Sequence, residues 1–280
     1  MKKIALIMVI AVLAFTLFSG EAETKTEKQT LRILVTNDDG IDSPGIRALA
    51  LALSEIAEVT VSAPEENCSG VSHSSKIFSG EYRAKLVDIP GAQKAWAIEG
   101  LPSDAVTWGV FTEGQEQPFD FVVSGINGGP NVGEIAHYSG TIGAGMEGVG
   151  LGIPSIAVSQ SRQKDYALAC KVTVDLVQRL VKEGAPLGIL WAIEVPKIDA
   201  DSEPVIAIAP MGGRYVKIVG FNTKENAGGE GLTFRSQLEF PSEAPEGSST
   251  EAFMAGKVVI TPLLFDWSAN EEIKRMQAWE

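Results

Sequence analysis

Short apolar runs alternate along this chain with longer stretches of helical periodicity. Residues 32–36 are one such run, and 46–56 repeat apolar residues at Ile46, Leu49, Ala50, Leu53 and Ile56, the spacing of one helix face. A second apolar run, 58–62, stops at Ala63-Pro64. Strand, helix and strand in this order form a βαβ unit, so the two strands run parallel with their carboxyl ends on one side. The alternation continues with short strands around Pro90-Gly91 within 76–99 and a helix over 105–111. A strand over 119–124, a small-residue helix over 142–149, a strand over 153–159, a helix over 167–181 and a strand over 189–195 follow. This order predicts an α/β fold with a doubly wound, mostly parallel sheet. Between 198 and 255 the pattern weakens into Gly, Glu, Ser and Pro, with strand runs at 205–208, 215–219 and 232–238, and reads as a protruding β arm. A last core strand covers 257–263 and a terminal helix 270–279.

The polar segments fall where an open α/β sheet places its chemistry, beyond the carboxyl ends of strands. The first strand ends at Asn37-Asp38-Asp39-Gly40, and Ser43-Pro44 then supplies an N-cap and a first helical residue. Within a strand, neighbours point to opposite faces; in a loop the two carboxylates can converge. Taken alone, the stretch is equally a turn, because Asn, Asp and Gly are turn formers. The second strand leads into 65–74, which holds Ser69 and His73; the strand over 119–124 leads into Gly125-Ile126-Asn127-Gly128-Gly129-Pro130-Asn131. Asp38, Asp39, Ser69 and Asn127 thus converge from three loops. Two carboxylates with neutral oxygens suit a hard divalent ion, Mg²⁺ or Mn²⁺. Ser139-Gly140-Thr141 opens the small-residue helix and is either a plain N-cap or an anion site. With Asn37 and Asn131, these three residues are the candidate contacts for a substrate phosphate. A cation site beside an anion site points to phosphoryl chemistry.

Charge and the chain's beginning narrow the classes further. A formal charge of −13 over 280 residues disfavours binding to a nucleic acid duplex or an anionic membrane. Met1-Lys2-Lys3, an apolar run over 4–18, and the small residues Gly20 and Ala22 read as a secretory signal peptide over 1–22. The apolar run is shorter than the roughly 20 residues of a comfortable membrane span, so no stable span is expected in the mature chain, and an exported, periplasmic location is. A polar leader covers 23–30, the site-bearing core 31–197, the arm 198–255, and the closing strand and helix 256–280. The two cysteines, Cys68 and Cys170, are either a disulfide or two independent thiols.

The motifs resemble, in order, those of the SurE survival-protein family of 5′/3′-nucleotidases. The opening Asn37-Asp38-Asp39-Gly40 with Pro44-Gly45 is followed by Ser69-Gly70 with Ser72 and Ser74, then Gly100, Pro102 and Asp104. Ser124-Gly125-Ile126-Asn127 with Gly129, Asn131 and Gly133 comes next, then Tyr138-Ser139-Gly140-Thr141, Glu147-Gly148, and Ile260-Thr261-Pro262-Leu263. The resemblance implies a Rossmann-like core and one divalent ion per subunit on Asp38, Asp39, Ser69 and Asn127. It further implies hydrolysis of nucleoside monophosphates, with short polyphosphate as a further substrate, and a homodimer or homotetramer assembled through the arm. The chain departs from the family pattern at Leu101, at Glu251, and at Ala192 and Glu194, where a Leu-Asn-Val-Asn-Val-Pro strand is usual. Asp38 and Asp39 would anchor the ion, and one of them could double as general base. The rival from another class is an exported binding protein that captures a phosphorylated ligand without turnover. A glycosidase pair is disfavoured, because adjacent carboxylates rarely reach the opposed separation of about 5 Å or more that it needs.

Overall fold

Ile33, Leu34 and Val35 are fully buried, as a strand covered on both faces must be. In this computed structural model, residues 30–78, 80–198, 203–226 and 228–279 are described; the expected signal peptide lies outside them, as does the leader apart from Thr30. The elements are β1 Arg32–Thr36, α1 Pro44–Leu53, β2 Glu58–Pro64, β3 Ala84–Val87, β4 Lys94–Ile98, α2 Pro102–Thr112, β5 Phe121–Asn127 and α3 Gly140–Gly150. They continue with β6 Ser155–Gln160, α4 Ala167–Glu183, β7 Ile189–Val195, β8 Ile206–Ile208, β9 Lys217–Glu225, β10 Leu232–Glu239, α5 Ser249–Met254, β11 Val258–Leu264 and α6 Asn270–Gln277.

The main sheet runs β3-β4-β2-β1-β5-β6-β7-β11-β8. From β4 to β7 every neighbouring pair is parallel, while β3 and β11 pair antiparallel with β4 and β7. The chain leaves β1 toward β2 and β4, then returns to β5 on the other side. The gap between β1 and β5 is therefore the topological switch point, where open α/β sheets bind ligands. Alternation along β1 separates the two layers: Ile33 and Val35 pack in one cluster with Ile46 and Leu49 of α1 and Val177 of α4, whereas Leu34 joins Val106 of α2 and Ala144 of α3. Helices thus cover both faces, and the Rossmann-like, mostly parallel sheet expected from the sequence is present.

The stretch 198–255 is divided more finely than its composition suggests. Ile206–Ile208 pairs in parallel with β11 at the edge of the main sheet. Phe253 of the unanticipated α5 packs with Val132, Ala209 and Val259. Among the described residues, β9 and β10 form a separate two-stranded antiparallel hairpin. Among the described residues, no helix is long and apolar enough to cross a membrane.

Candidate active site at the sheet switch point

Asp38 is the buried centre of the site, 3 % exposed. Its Oδ1 accepts a 2.6 Å hydrogen bond from the Thr141 hydroxyl, and its backbone carbonyl accepts from the Cys68 amide at 2.7 Å. Burial pushes its carboxyl up to about 6; the Thr141 hydrogen bond opposes this and the neighbouring Asp39 charge adds to it. Asp39 is half-buried. Its Oδ2 accepts from the Gly128 amide at 3.2 Å, and its Oδ1 from Asn67 Nδ2 at 3.4 Å. The loops after β1, β2 and β5 therefore meet at the two carboxylates.

Local sequence builds this convergence. Ser43 caps α1, and Asn37 Nδ2 donates to Gly40 O at 2.9 Å and to Ser43 Oγ at 2.8 Å, so the Asn-Asp-Asp-Gly turn is tied to the helix start. Ser139 caps α3, its Oγ accepting from the Ile142 amide at 3.1 Å. Two glycines bring α3 close. A Cβ on Gly140 would sit 2.7 Å from Asp38 Cβ, and one on Gly143 would sit 2.2 Å from the Ser72 carbonyl oxygen. Any other residue there would push α3 off the carboxylate or off the loop bearing Ser69.

The loops that bear the expected cation ligands meet at the two carboxylates. Ser69 is exposed, one residue past the Cys68 amide that holds Asp38. Asn127 spends its Nδ2 on Gly129 O at 2.6 Å, which leaves its Oδ1 as an acceptor. The strand runs through Asn127 rather than stopping before it: β5 shifts register between Ser124 and Asn127 and pairs Asn127 with Ser159. Two adjacent carboxylates, one of them desolvated, with neutral oxygens on the neighbouring loops, are the donor types that a hard cation takes. Among the described residues no group of three or more His, Cys, Asp or Glu could hold a metal.

The expected phosphate contacts divide. Asn37 and Thr141 are both fully buried, and their side chains serve the Asp38 turn and Asp38 itself rather than the cleft. Each side chain braces the site from within. Ser139 keeps a place on the wall of an apolar cavity of about 210 Å³ beside α3, with His73, His137, Met146 and Leu263. Asn131 is half-buried; its Nδ2 donates to Ser159 Oγ at 2.9 Å and its backbone amide to Glu194 Oε2 at 2.8 Å.

Three acidic residues carry structure that motif matching left without a role. Asp104 accepts from Ser75 Oγ at 2.6 Å and from the amides of Lys76, Ile77 and Leu101, fastening the far end of the Ser69 loop to α2. Glu147 of α3 accepts from Thr107 at 2.8 Å and pairs with His73 at 2.8 Å; the His73 hydrogen bond pulls its carboxyl below the usual range. Glu194 is the third. The carbonyl of the exposed His137 accepts from Ser72 Oγ of the same loop at 2.7 Å. Cys68 and Cys170 are free thiols.

Fold and site define a class: a doubly wound α/β protein whose switch point presents paired carboxylates and neutral oxygens beside a helix N-terminus. The comparisons with known proteins agree. The family model described as Survival protein SurE matches residues 33–218. The chain is 36 % identical over 249 residues to the 5′/3′-nucleotidase SurE of Serratia proteamaculans, covering 89 % of this chain and 96 % of that one. It is 33 % identical to the 5′-nucleotidase SurE of Vibrio parahaemolyticus, covering 89 % and 94 %. Its fold matches the crystal structure of the SurE protein from Aquifex aeolicus with a TM-score of 0.78 at 33 % identity, over 89 % of this chain and 99 % of that one. The chain belongs to the SurE survival-protein family.

Proposed function

We propose that this protein is a divalent-cation-dependent phosphomonoesterase that hydrolyses nucleoside 5′-monophosphates, and 3′-monophosphates and short polyphosphate as further substrates. The single observation behind this is the meeting of Asp38 and Asp39 with the β2 and β5 loops at the switch point, in a chain whose relatives are named 5′- and 5′/3′-nucleotidases. Asp38, Asp39, Ser69 and Asn127 hold one Mg²⁺ or Mn²⁺ per subunit. When bound, the ion supplies Lewis-acid stabilisation of phosphoryl oxygens and a lowered pKa for water. Asn131 and the Ser139–Gly140 turn orient the phosphoryl group. One of the two carboxylates, Asp38 or Asp39, would double as the general base.

Assembly and location complete the proposal. The β9–β10 hairpin exposes Ile218, Phe221, Phe234 and Leu238, an apolar surface suited to pairing copies as a homodimer or homotetramer. The basic start and apolar run over 1–18 support export to the periplasm. Phosphate release from a nucleotide panel and p-nitrophenyl phosphate, with and without EDTA and added Mg²⁺ or Mn²⁺, tests the activity. Tight nucleotide binding with no metal-dependent release would leave the binding-protein reading standing instead.

A further inference from the structure

We propose that Glu194 is a positioning residue for the reaction, clamping Asn131 from behind so that the Asn131 side chain meets the phosphoryl group. The proposal rests on the reading of Asn131 as a phosphoryl contact. Glu194 lies on β7 opposite Ser159 of β6 and Val259 of β11, only 3 % exposed. Its Oε2 accepts the Asn131 backbone amide at 2.8 Å, and the Ser159 hydroxyl also hydrogen-bonds to its carboxyl. Ser159 Oγ in turn accepts from Asn131 Nδ2 at 2.9 Å. Main chain and side chain of Asn131 are thus both fixed by one buried pair, and the second amide hydrogen and Oδ1 of Asn131 stay available to a ligand.

The chemistry of the clamp suits an anionic substrate. Burial without a cationic partner pushes the Glu194 carboxyl up to about 8, against the two hydrogen bonds that favour its charged form. A carboxyl raised in this way is mostly protonated near neutral pH and adds little negative charge behind the place where a phosphate binds. A charged carboxylate there would hold Asn131 equally well but repel the substrate. The other oxygen, Oε1, is buried with no partner among the described residues; Glu194 also lines a cavity of about 10 Å³ together with Ser249 and Thr261. This gives the Glu194 carboxyl no second protein anchor and leaves Asn131 and Ser159 as its hydrogen-bonding partners.

Four variants test the clamp: Glu194→Leu, Glu194→Asp, Glu194→Gln and Asn131→Ala, each assayed for kcat and KM on a nucleoside monophosphate and titrated with Mn²⁺ alone. Circular dichroism and thermal melting confirm folding first. Misplacing a contact by about 1 Å can cost on the order of a hundredfold, so Glu194→Leu is expected to lose kcat/KM on that order while Mn²⁺ affinity stays near wild type. Glu194→Gln, which keeps the acceptor without charge, recovers turnover. Should Glu194→Leu not fold, Glu194→Asp decides, because it withdraws the acceptor by one methylene and is expected to lose turnover that Glu194→Gln keeps. Wild-type turnover in the folded Leu or Asp variant, with Asn131→Ala impaired, overturns the Glu194 proposal alone. An equal loss of Mn²⁺ affinity and turnover would place Glu194 on the cation half and overturn it too. Wild-type turnover in Asn131→Ala removes the reading of Asn131 and the clamp with it.

Discussion

Thr141 donates its hydroxyl to Asp38 at 2.6 Å across 103 positions of the chain. This bond joins the first turn of α3 to the loop after β1, and it opposes the desolvation that raises the Asp38 carboxyl. A hydrogen bond to a charged group contributes about 1.5–3 kcal/mol. Thr141→Val keeps the shape and deletes the donor, so divalent-cation affinity is expected to fall by roughly ten- to a hundredfold, since that energy favours the ionised carboxylate. Calorimetric titration with Mn²⁺ checks this; wild-type affinity in the variant would sink the assignment.

Asp39→Asn is nearly isosteric, and its site is half-exposed. The Gly128 amide keeps an oxygen to donate to, so folding stability is expected to change by less than about 1 kcal/mol. Metal-dependent phosphate release is expected to disappear. Retained turnover at the wild-type rate in a folded Asp39→Asn protein would remove Asp39 from the site.

Gly140→Ala adds one methyl where no side chain fits. Its Cβ would lie 2.7 Å from Asp38 Cβ, and Asp38 cannot retreat because Thr141 and the Cys68 amide hold it. Overpacking of this kind costs about 1–3 kcal/mol, and the displaced carboxylate should lower kcat/KM far more than the melting temperature suggests. A variant with lowered stability but full activity would show that α3 need not touch Asp38.

The strand ends were legible from the sequence because their period and their polar residues change together: β1 stops where Asn37-Asp38-Asp39 begins, and β7 is found at 189–195 as its apolar run indicates. The meeting of the loops after β1, β2 and β5 followed from parallel topology alone. The destinations of individual side chains did not. Asn37 and Thr141 look like ligand contacts by type, but whether a hydroxyl faces a cleft or a buried carboxylate depends on packing across 103 positions. Ile206–Ile208 sits in a Gly- and Pro-rich region and joins the main sheet only because β11, fifty residues later, offers its free edge. Glu194 stood out as a departure from the family pattern; its neutral character became visible only with its burial.

His73 and Glu147 tie the Ser69 loop to α3 through a 2.8 Å bond, and Thr107 fixes the other Glu147 oxygen. Both side chains are about a quarter exposed, so the pair is a partly screened tether. A double-mutant cycle with His73→Ala and Glu147→Gln is expected to give a coupling of about 0.5–3 kcal/mol and a raised KM in each single variant, as the loop loosens. Additive effects on stability and KM would show that the His73–Glu147 pair does not hold the loop.

Glu194 also sets a stability dependence on pH whose sign is fixed by its burial. The folded carboxyl keeps its proton to about pH 8, while the ordinary value of 4.5 applies to the unfolded chain. Between these values the folded state carries the extra proton, so the stabilising difference is fully present below pH 4.5 and is lost as pH rises to about 8. Each pH unit in the window is worth up to about 1.4 kcal/mol. Asp38, raised from 3.8 to about 6, adds to the same trend over its own narrower window in the metal-free protein. Glu194→Gln has no proton to release, so its stability should fall less than that of the wild type from pH 5 to 8 and overtake it toward the alkaline end. Urea unfolding of both proteins in EDTA across this range measures the difference. Parallel curves for the two would mean that Glu194 is ionised in the folded protein, and with that the uncharged clamp behind Asn131 would have to be abandoned.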